Sequence, residues 1–244
     1  MSDFDRNLAS ARTGYRTDQV AIDAGLRAHM IRVYNYMTAG VALTGLVAWL
    51  TYSAAASNPS LAQAIYTGPL MWVLILAPLG LVFWLSFGIN RMAAGTALAV
   101  FFLYAALLGI SLSSILLIYT GTSITRVFFI SAATFGALSL WGYTTKRDLS
   151  GMGSFMFMGL IGIIIASLVN MFLHSSGLDW AISIIGVVVF AGLTGWDTQR
   201  IKEMYSVQDD GTVAGRKAVM GALSLYLDFI NLFLMMLRLF GDRR

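Results

Sequence analysis

The chain has 244 residues, of which 58% are hydrophobic and only 11% charged, with a net charge of +4 and no cysteine. A water-soluble domain carries about 25% charged residues, so this chain has too little charge to clothe a globule. Disulfides, thiolate catalysis and cysteine-ligated metal sites are excluded. Most basic residues stand at the edges of long apolar runs, which suits loops facing an anionic lipid bilayer rather than nucleic acid.

The chain opens on a polar tail, residues 1–28, with Arg6, Arg12, Arg16 and Arg27 interleaved with Asp3, Asp5, Asp18 and Asp23. A cleavable signal needs an apolar core close behind its basic residues. The first long apolar run begins only at Val33, so a retained N-terminal tail is expected. A helix needs about 20 apolar residues to cross the hydrocarbon core. By that measure residues 29–244 form a transmembrane domain with spans at 33–53, 69–90, 97–119, 127–145, 152–173, 180–200 and 218–237. The expected fold is an all-α polytopic bundle of about seven transmembrane helices. Pro69 suits the first turn of a helix, where its missing N–H costs nothing, and Pro78 lies inside a span that it should kink. Trp49, Trp72, Tyr119 and Trp180, near predicted span ends, suit an interfacial belt.

Orientation follows from Lys and Arg. The tail through Arg32, the turn at Arg91, Lys146 and Arg147, and the stretch 200–217 hold twelve of the sixteen basic residues. The alternate loops, 54–68, 120–126 and 174–179, hold only Arg126. The basic side faces the cytoplasm, so the N-terminus is expected inside. Seven spans then send out a C-terminal tail carrying Arg238, Arg243 and Arg244, against the same rule. Residues 218–237 are long enough for a full span, which is preferred here over a re-entrant segment. Glycines within spans, such as Gly40, Gly45, Gly136, Gly142, Gly159, Gly162, Gly192 and Gly195, let helices approach closely. Asn35 and Asn170 are read as interhelical hydrogen-bonding groups, and the methionines as core filler.

Two carboxylates stand out. Asp197 lies in GLTGWDTQRIKEMY near the inner end of the sixth span. Asp228 lies in LSLYLDFINLF, with ten uncharged residues before it and nine after. A charged group at mid-membrane costs about 2.5–3.5 kcal/mol on insertion scales and usually faces a cavity, a partner or an ion path. Asp197 is eight residues from Tyr205 and Asp228 eleven from Lys217. If these two spans are antiparallel neighbours, the depths differ by about one helical turn. Two such carboxylates in contact would share a proton and titrate as a unit. When ionised they would offer hard oxygens to Ca2+. Arg91, at the inner end of the second span, is the best basic competitor. Asn231 shares the face of Asp228. The plainer alternative pairs Asp197 with Arg200 at a helix end and makes Asp228 a buried hydrogen-bonding group. His174 has only His29 as a fellow histidine, which makes a metal site on it unlike known ones. No GxxxxGK[ST], HExxH or GxSxG motif occurs, so neither catalytic residues nor a bound cofactor is expected.

A sixth span ending in FAGLTGWDTQRIK and a seventh with a central Asp resemble the Bax inhibitor-1 family, in its bacterial YccA-like branch. GISLSSILLIYTGTSITRVFFISAATF and LWGYTTKRDLSGMG look like the corresponding regions of that family, and the similarity covers roughly residues 25–240. Trp196 stands where many members have Tyr before the Asp. The resemblance implies a bacterial inner-membrane bundle whose last span is surrounded by the other six. It further implies a pH-sensitive Ca2+ leak with Asp197 and Asp228 as sensor and Arg91 as latch partner. Relatives also modulate the membrane-bound AAA protease FtsH, so a non-transporting protease partner is the alternative. An intramembrane aspartyl protease would carry Gly-x-Gly before its second Asp; here Leu225, Tyr226 and Leu227 stand there.

Overall fold

The computed structural model describes residues 3–244, with the side chains of the first helix described from Ala24 on. In lipid every backbone N–H and C=O needs a partner within the chain, so a spanning segment must be helical. The helices are α1 (Asp3–Ser57), α2 (Pro59–Tyr66), α3 (Pro69–Gly88), α4 (Ala94–Leu112), α5 (Ile115–Ile118), α6 (Gly121–Thr144), α7 (Ser150–Leu173), α8 (Ser176–Glu203) and α9 (Gly211–Phe240). A 3-10 turn, Ile89–Arg91, follows α3. Among the described residues seven stretches are long and apolar enough to cross a membrane, the first being Ala24–Ser57 and the last Gly211–Phe240.

The breaks between helices have local chemical causes. Asn58, Thr120, Ser175 and Asp210 each accept a backbone N–H three residues on, capping α2, α6, α8 and α9. Pro59 and Pro69 occupy first turns. His174 ends α7 in the left-handed region, φ 52°, and Asn170 Oδ1 accepts the Ser175 N–H at 3.0 Å. Asn170 therefore serves the α7–α8 turn instead of bonding across helices. In the next loop, Asp148 Oδ1 accepts the Ser150 N–H at 2.8 Å, which holds this exposed carboxyl below the usual carboxylate range.

Two features of the sequence reading need correction. Loop 54–68 contains the helix α2, and the expected span 97–119 is present as Ala94–Ile118 but its helix is interrupted after Leu112. The serines there bond back to the chain: Ser113 Oγ donates to Ile110 O at 2.6 Å and Ser114 Oγ to Ser111 O at 3.2 Å. Such side-chain bonds compete with the helical ladder. Pro78 remains inside one continuous α3. Its missing N–H frees the carbonyl of Leu74, and Ser111 of α4 donates its hydroxyl to that oxygen.

Helix α9 is the axis of the bundle. Its most apolar stretch is 72% buried, against 6% for α7. It packs chiefly against α8, α1, α6 and α4, while α3 lies outside on α4 and α7 outside on α8. The last span is thus enclosed mainly by four neighbours, not six. Tyr226, fully buried, packs edge-on against Phe101 and Tyr104 and bonds Thr44 Oγ1 at 2.6 Å. Met30, Met37, Met235 and Met236 are core residues, whereas Met158 and Met171 face outward with most other α7 side chains. Trp49, Trp72 and Trp180 are more than half exposed, as a belt requires, but Tyr119 is buried.

One end of the bundle gathers the α3–α4, α6–α7 and α8–α9 connections. Arg216 Nη1 donates to Asn90 O, Gln199 Nε2 to Arg147 O and Lys202 Nζ to Tyr143 O. The C-terminus lies at the opposite end: Arg244 N–H donates to Ile118 O and Asp242 N–H to Ser123 Oγ. The full seventh crossing is present. Of the basic C-terminal residues Arg238 pairs with Asp179 at 3.5 Å, while the tail's own Asp242 pairs with Arg126 of α6 at 3.0 Å.

Candidate functional site: a carboxyl pair between α8 and α9

Consecutive residues on a helix point about 100° apart, so a helix packed on several neighbours addresses each with a different residue. The run 196–200 of α8 does this. Trp196 lays its indole against Gly153 of α7, where a Cβ would come within 2.3 Å of the ring. Asp197 faces α9. Thr198 bonds Ser139 Oγ of α6 at 2.9 Å, and Ser139 in turn bonds the Tyr34 hydroxyl of α1. Gln199 clamps the α6–α7 loop twice, accepting the Leu149 N–H and donating to Arg147 O, both at 2.8 Å. Arg200 points outward over the Trp196 ring, 5.3 Å from its centroid. The sequence reading singled out Asp197 and Arg200 here but missed the roles of Thr198 and Gln199. The available signal was a run of polar residues at a buried helix end with no gap for a solvent-facing stripe.

Small residues permit this packing. A Cβ on Gly142 would meet Gly195 O at 2.2 Å, so α6 and α8 touch backbone to backbone. Gly40, Gly159 and Gly192 likewise receive Phe101, Val189 and Met156. Gly45, Gly136 and Gly162 have open space around them, so they are not close-approach sites.

Asp197 and Asp228 come together. Both are buried, at 8% and 4% exposure, and their side chains lie within hydrogen-bonding reach of each other. Asp228 Oδ2 is buried without a hydrogen-bond partner. Ionised carboxylates only accept hydrogen bonds, so this contact becomes a bond when one of the two holds a proton. The pair lines a cleft of about 720 Å³ between α7, α8 and α9. Asn231 lines it too and donates Nδ2 to Leu227 O at 2.8 Å; Ser167 and Ser224 add hydroxyls. Toward the C-terminal end the walls turn apolar, with Met171, Phe190 and Met235.

The cation nearest the pair is Arg200, with Nη1 4.0 Å from Asp197 Oδ1 and a largely exposed side chain. Arg91 is not brought to the carboxylates. It is exposed in the 3-10 turn beside Trp84, Phe87 and Met92. Its neighbour Asn90 is bonded to Arg216, which lies twelve residues, about 18 Å of helix rise, before Asp228. Among the described residues no three His, Asp or Glu side chains gather to hold a metal. Most of the polar tail, residues 1–23, has side chains outside the described residues, so a protease-binding role for it rests on the sequence alone.

Fold and site define an integral membrane protein with seven membrane-length spans among its described residues and a carboxyl pair buried beside its central helix. Residues 26–244 match the family model described as inhibitor of apoptosis-promoting Bax1, and the chain belongs to this Bax inhibitor-1 family. It is 50% identical to the inner membrane protein YbhL of Escherichia coli (strain K12), over 91% of this chain and 94% of that protein. It is 51% identical to the protein RP147 of Rickettsia prowazekii, over 91% and 92% of the two chains. A protein of Caulobacter vibrioides is 42% identical over the full length of both.

Proposed function

We propose that this protein is a pH-sensitive cation leak of the bacterial inner membrane, with Ca2+ as the transported ion and Asp197 and Asp228 as its sensor. The observation that carries the reading is the pair itself: two carboxyls in mutual reach, at a depth where one charged group is already costly, lining a cleft. With a proton shared, the pair ties α8 to α9. With both carboxyls ionised, the tie becomes a like-charge contact and the cleft gains two hard oxygens. Ca2+ takes six to eight oxygen ligands in a tight site. Two carboxylates with Asn231 and two serines make a weak site that an ion can leave, as conduction requires. Phe190 and Met235, buried in the far half, put apolar side chains in the path of an ion. Arg200 serves as the counter-cation at the mouth. An Arg91 latch would need the Ile89–Arg91 turn to repack along α9.

The positive-inside rule puts the N-terminus and the basic end of the bundle in the cytoplasm. The reading is supported by kinship with an inner membrane protein and tested by flux. Purified protein in liposomes loaded with a Ca2+ indicator should admit Ca2+ at a rate that depends on pH. Entry equal to empty liposomes at every pH would refute it and leave the protease-modulating role.

A further inference from the structure

We propose that the groove between α1 and α6 is a binding site for an anionic phospholipid, one acyl chain lying in the groove and the phosphate held by Arg27 and Lys202. Helices α1 and α6 both pack on α9, and between them lies a groove of about 590 Å³. Its walls are apolar, with Met30, Met37 and Val41 on α1 facing Phe128 and Phe135 on α6, and Phe229 of α9 as the floor. This site is separate from the carboxyl cleft and does not depend on the leak.

Three observations choose the occupant. First, the groove lies in the membrane-spanning part of the bundle, where its apolar walls favour hydrocarbon over water. Second, it runs along α1 from Arg27 to Val41, fourteen residues or about 21 Å, enough for a chain that must cover one leaflet of about 15 Å. Third, its charge is one-sided. Arg27 lines one end together with Tyr143, and Lys202 Nζ sits over the Tyr143 ring while donating to Tyr143 O at 2.9 Å. Arg27 at headgroup level above an apolar slot, with Lys202 behind it on Tyr143, complements a phosphate and its acyl chain. The Tyr34 and Ser139 hydroxyls bond each other lower in the groove, which leaves Thr38, besides Tyr143 at the Arg27 end, as the one other hydroxyl on its wall among the described residues.

Gly136 supplies the test. It lines the groove, and a Cβ built on it meets nothing within 4 Å, so a larger side chain fills the slot without disturbing the packing. Delipidated protein is titrated with phosphatidylglycerol or phosphatidylcholine, and bound lipid is counted by native mass spectrometry. The wild type should bind one phosphatidylglycerol at least tenfold more tightly than phosphatidylcholine. Gly136→Leu should lose that lipid while keeping its thermal transition. Arg27→Ala/Lys202→Ala should retain the site but lose the preference for phosphatidylglycerol. Equal binding of both lipids by the wild type, or undiminished binding by Gly136→Leu, would overturn the proposal. So would a dimer that Gly136→Leu dissociates, since the groove would then receive a second copy of the chain.

Discussion

Replacing Ser111 with Ala should destabilise the bundle through a bond that exists only because of Pro78. The Leu74 carbonyl has no helical donor, since residue 78 lacks its N–H, and Leu74 is 8% exposed, so water is not an easy substitute. Interhelical hydrogen bonds in membranes average about 0.6 kcal/mol and reach about 1–2 kcal/mol. This buried carbonyl, left unpaired, belongs at the upper end of that range. Pro78→Ala restores the N–H and lets α3 close its own ladder onto Leu74. In that background the Ser111 hydroxyl falls back on its other acceptor, Leu107 O at 3.2 Å, and Ser111→Ala should cost under about 0.5 kcal/mol. A double-mutant cycle read by steric-trapping unfolding in bicelles should therefore return a coupling of about 1.5 kcal/mol. Equal costs of Ser111→Ala in both backgrounds would refute the reasoning.

Gly142→Ala should force α6 from α8, because its Cβ would meet Gly195 O, at a cost of about 1–3 kcal/mol; Gly136→Ala should be neutral, and thermal unfolding in detergent compares them. Gln199→Leu leaves the Leu149 N–H and Arg147 O without their partner, which should cost about 1–3 kcal/mol and speed hydrogen exchange in the α6–α7 loop. Met235→Ser, in the apolar half of the cleft, should raise basal Ca2+ flux in liposomes at every pH. Deleting residues 1–23 should leave flux unchanged; if flux is absent throughout and the deletion abolishes co-purification with a membrane protease, the modulator alternative gains instead.

Much of this architecture is readable in the chain because lipid leaves few choices. An apolar run of sufficient length must be a helix, so six of the seven expected spans correspond to unbroken helices. The span at 97–119 is present as Ala94–Ile118, but the interruption within it escaped a hydropathy reading because Ser113 and Ser114 look innocuous there, yet their hydroxyls bond backbone carbonyls where α4 ends. Helix α2 was hidden in a short stretch whose signals, Asn58 and Pro59, are local caps and not periodicity. The aspartates announced themselves by cost, and their depths along antiparallel helices placed them together. Arg91 did not follow, since its turn is bonded to Arg216, about 18 Å of helix rise from Asp228, a separation in depth along α9. Thr198 and Gln199 escaped for the related reason that their partners, Ser139 and the 147–149 backbone, are 50 or more residues away.

The central claim is that Asp197 and Asp228 act as one titrating unit that gates ion flow. Its most direct test is Ca2+ flux across pH in liposomes containing the wild type, Asp197→Asn or Asp228→Asn, with folding checked for each. Asn keeps the shape of the pair and supplies a donor to the remaining carboxylate while removing the like-charge contact. Each variant should flatten or displace the wild-type pH profile, and Asp228→Ala should be less stable than Asp228→Asn because it leaves its partner unpaired. Wild-type flux at every pH in both Asn variants would contradict the account and make the carboxyl pair a structural tie alone.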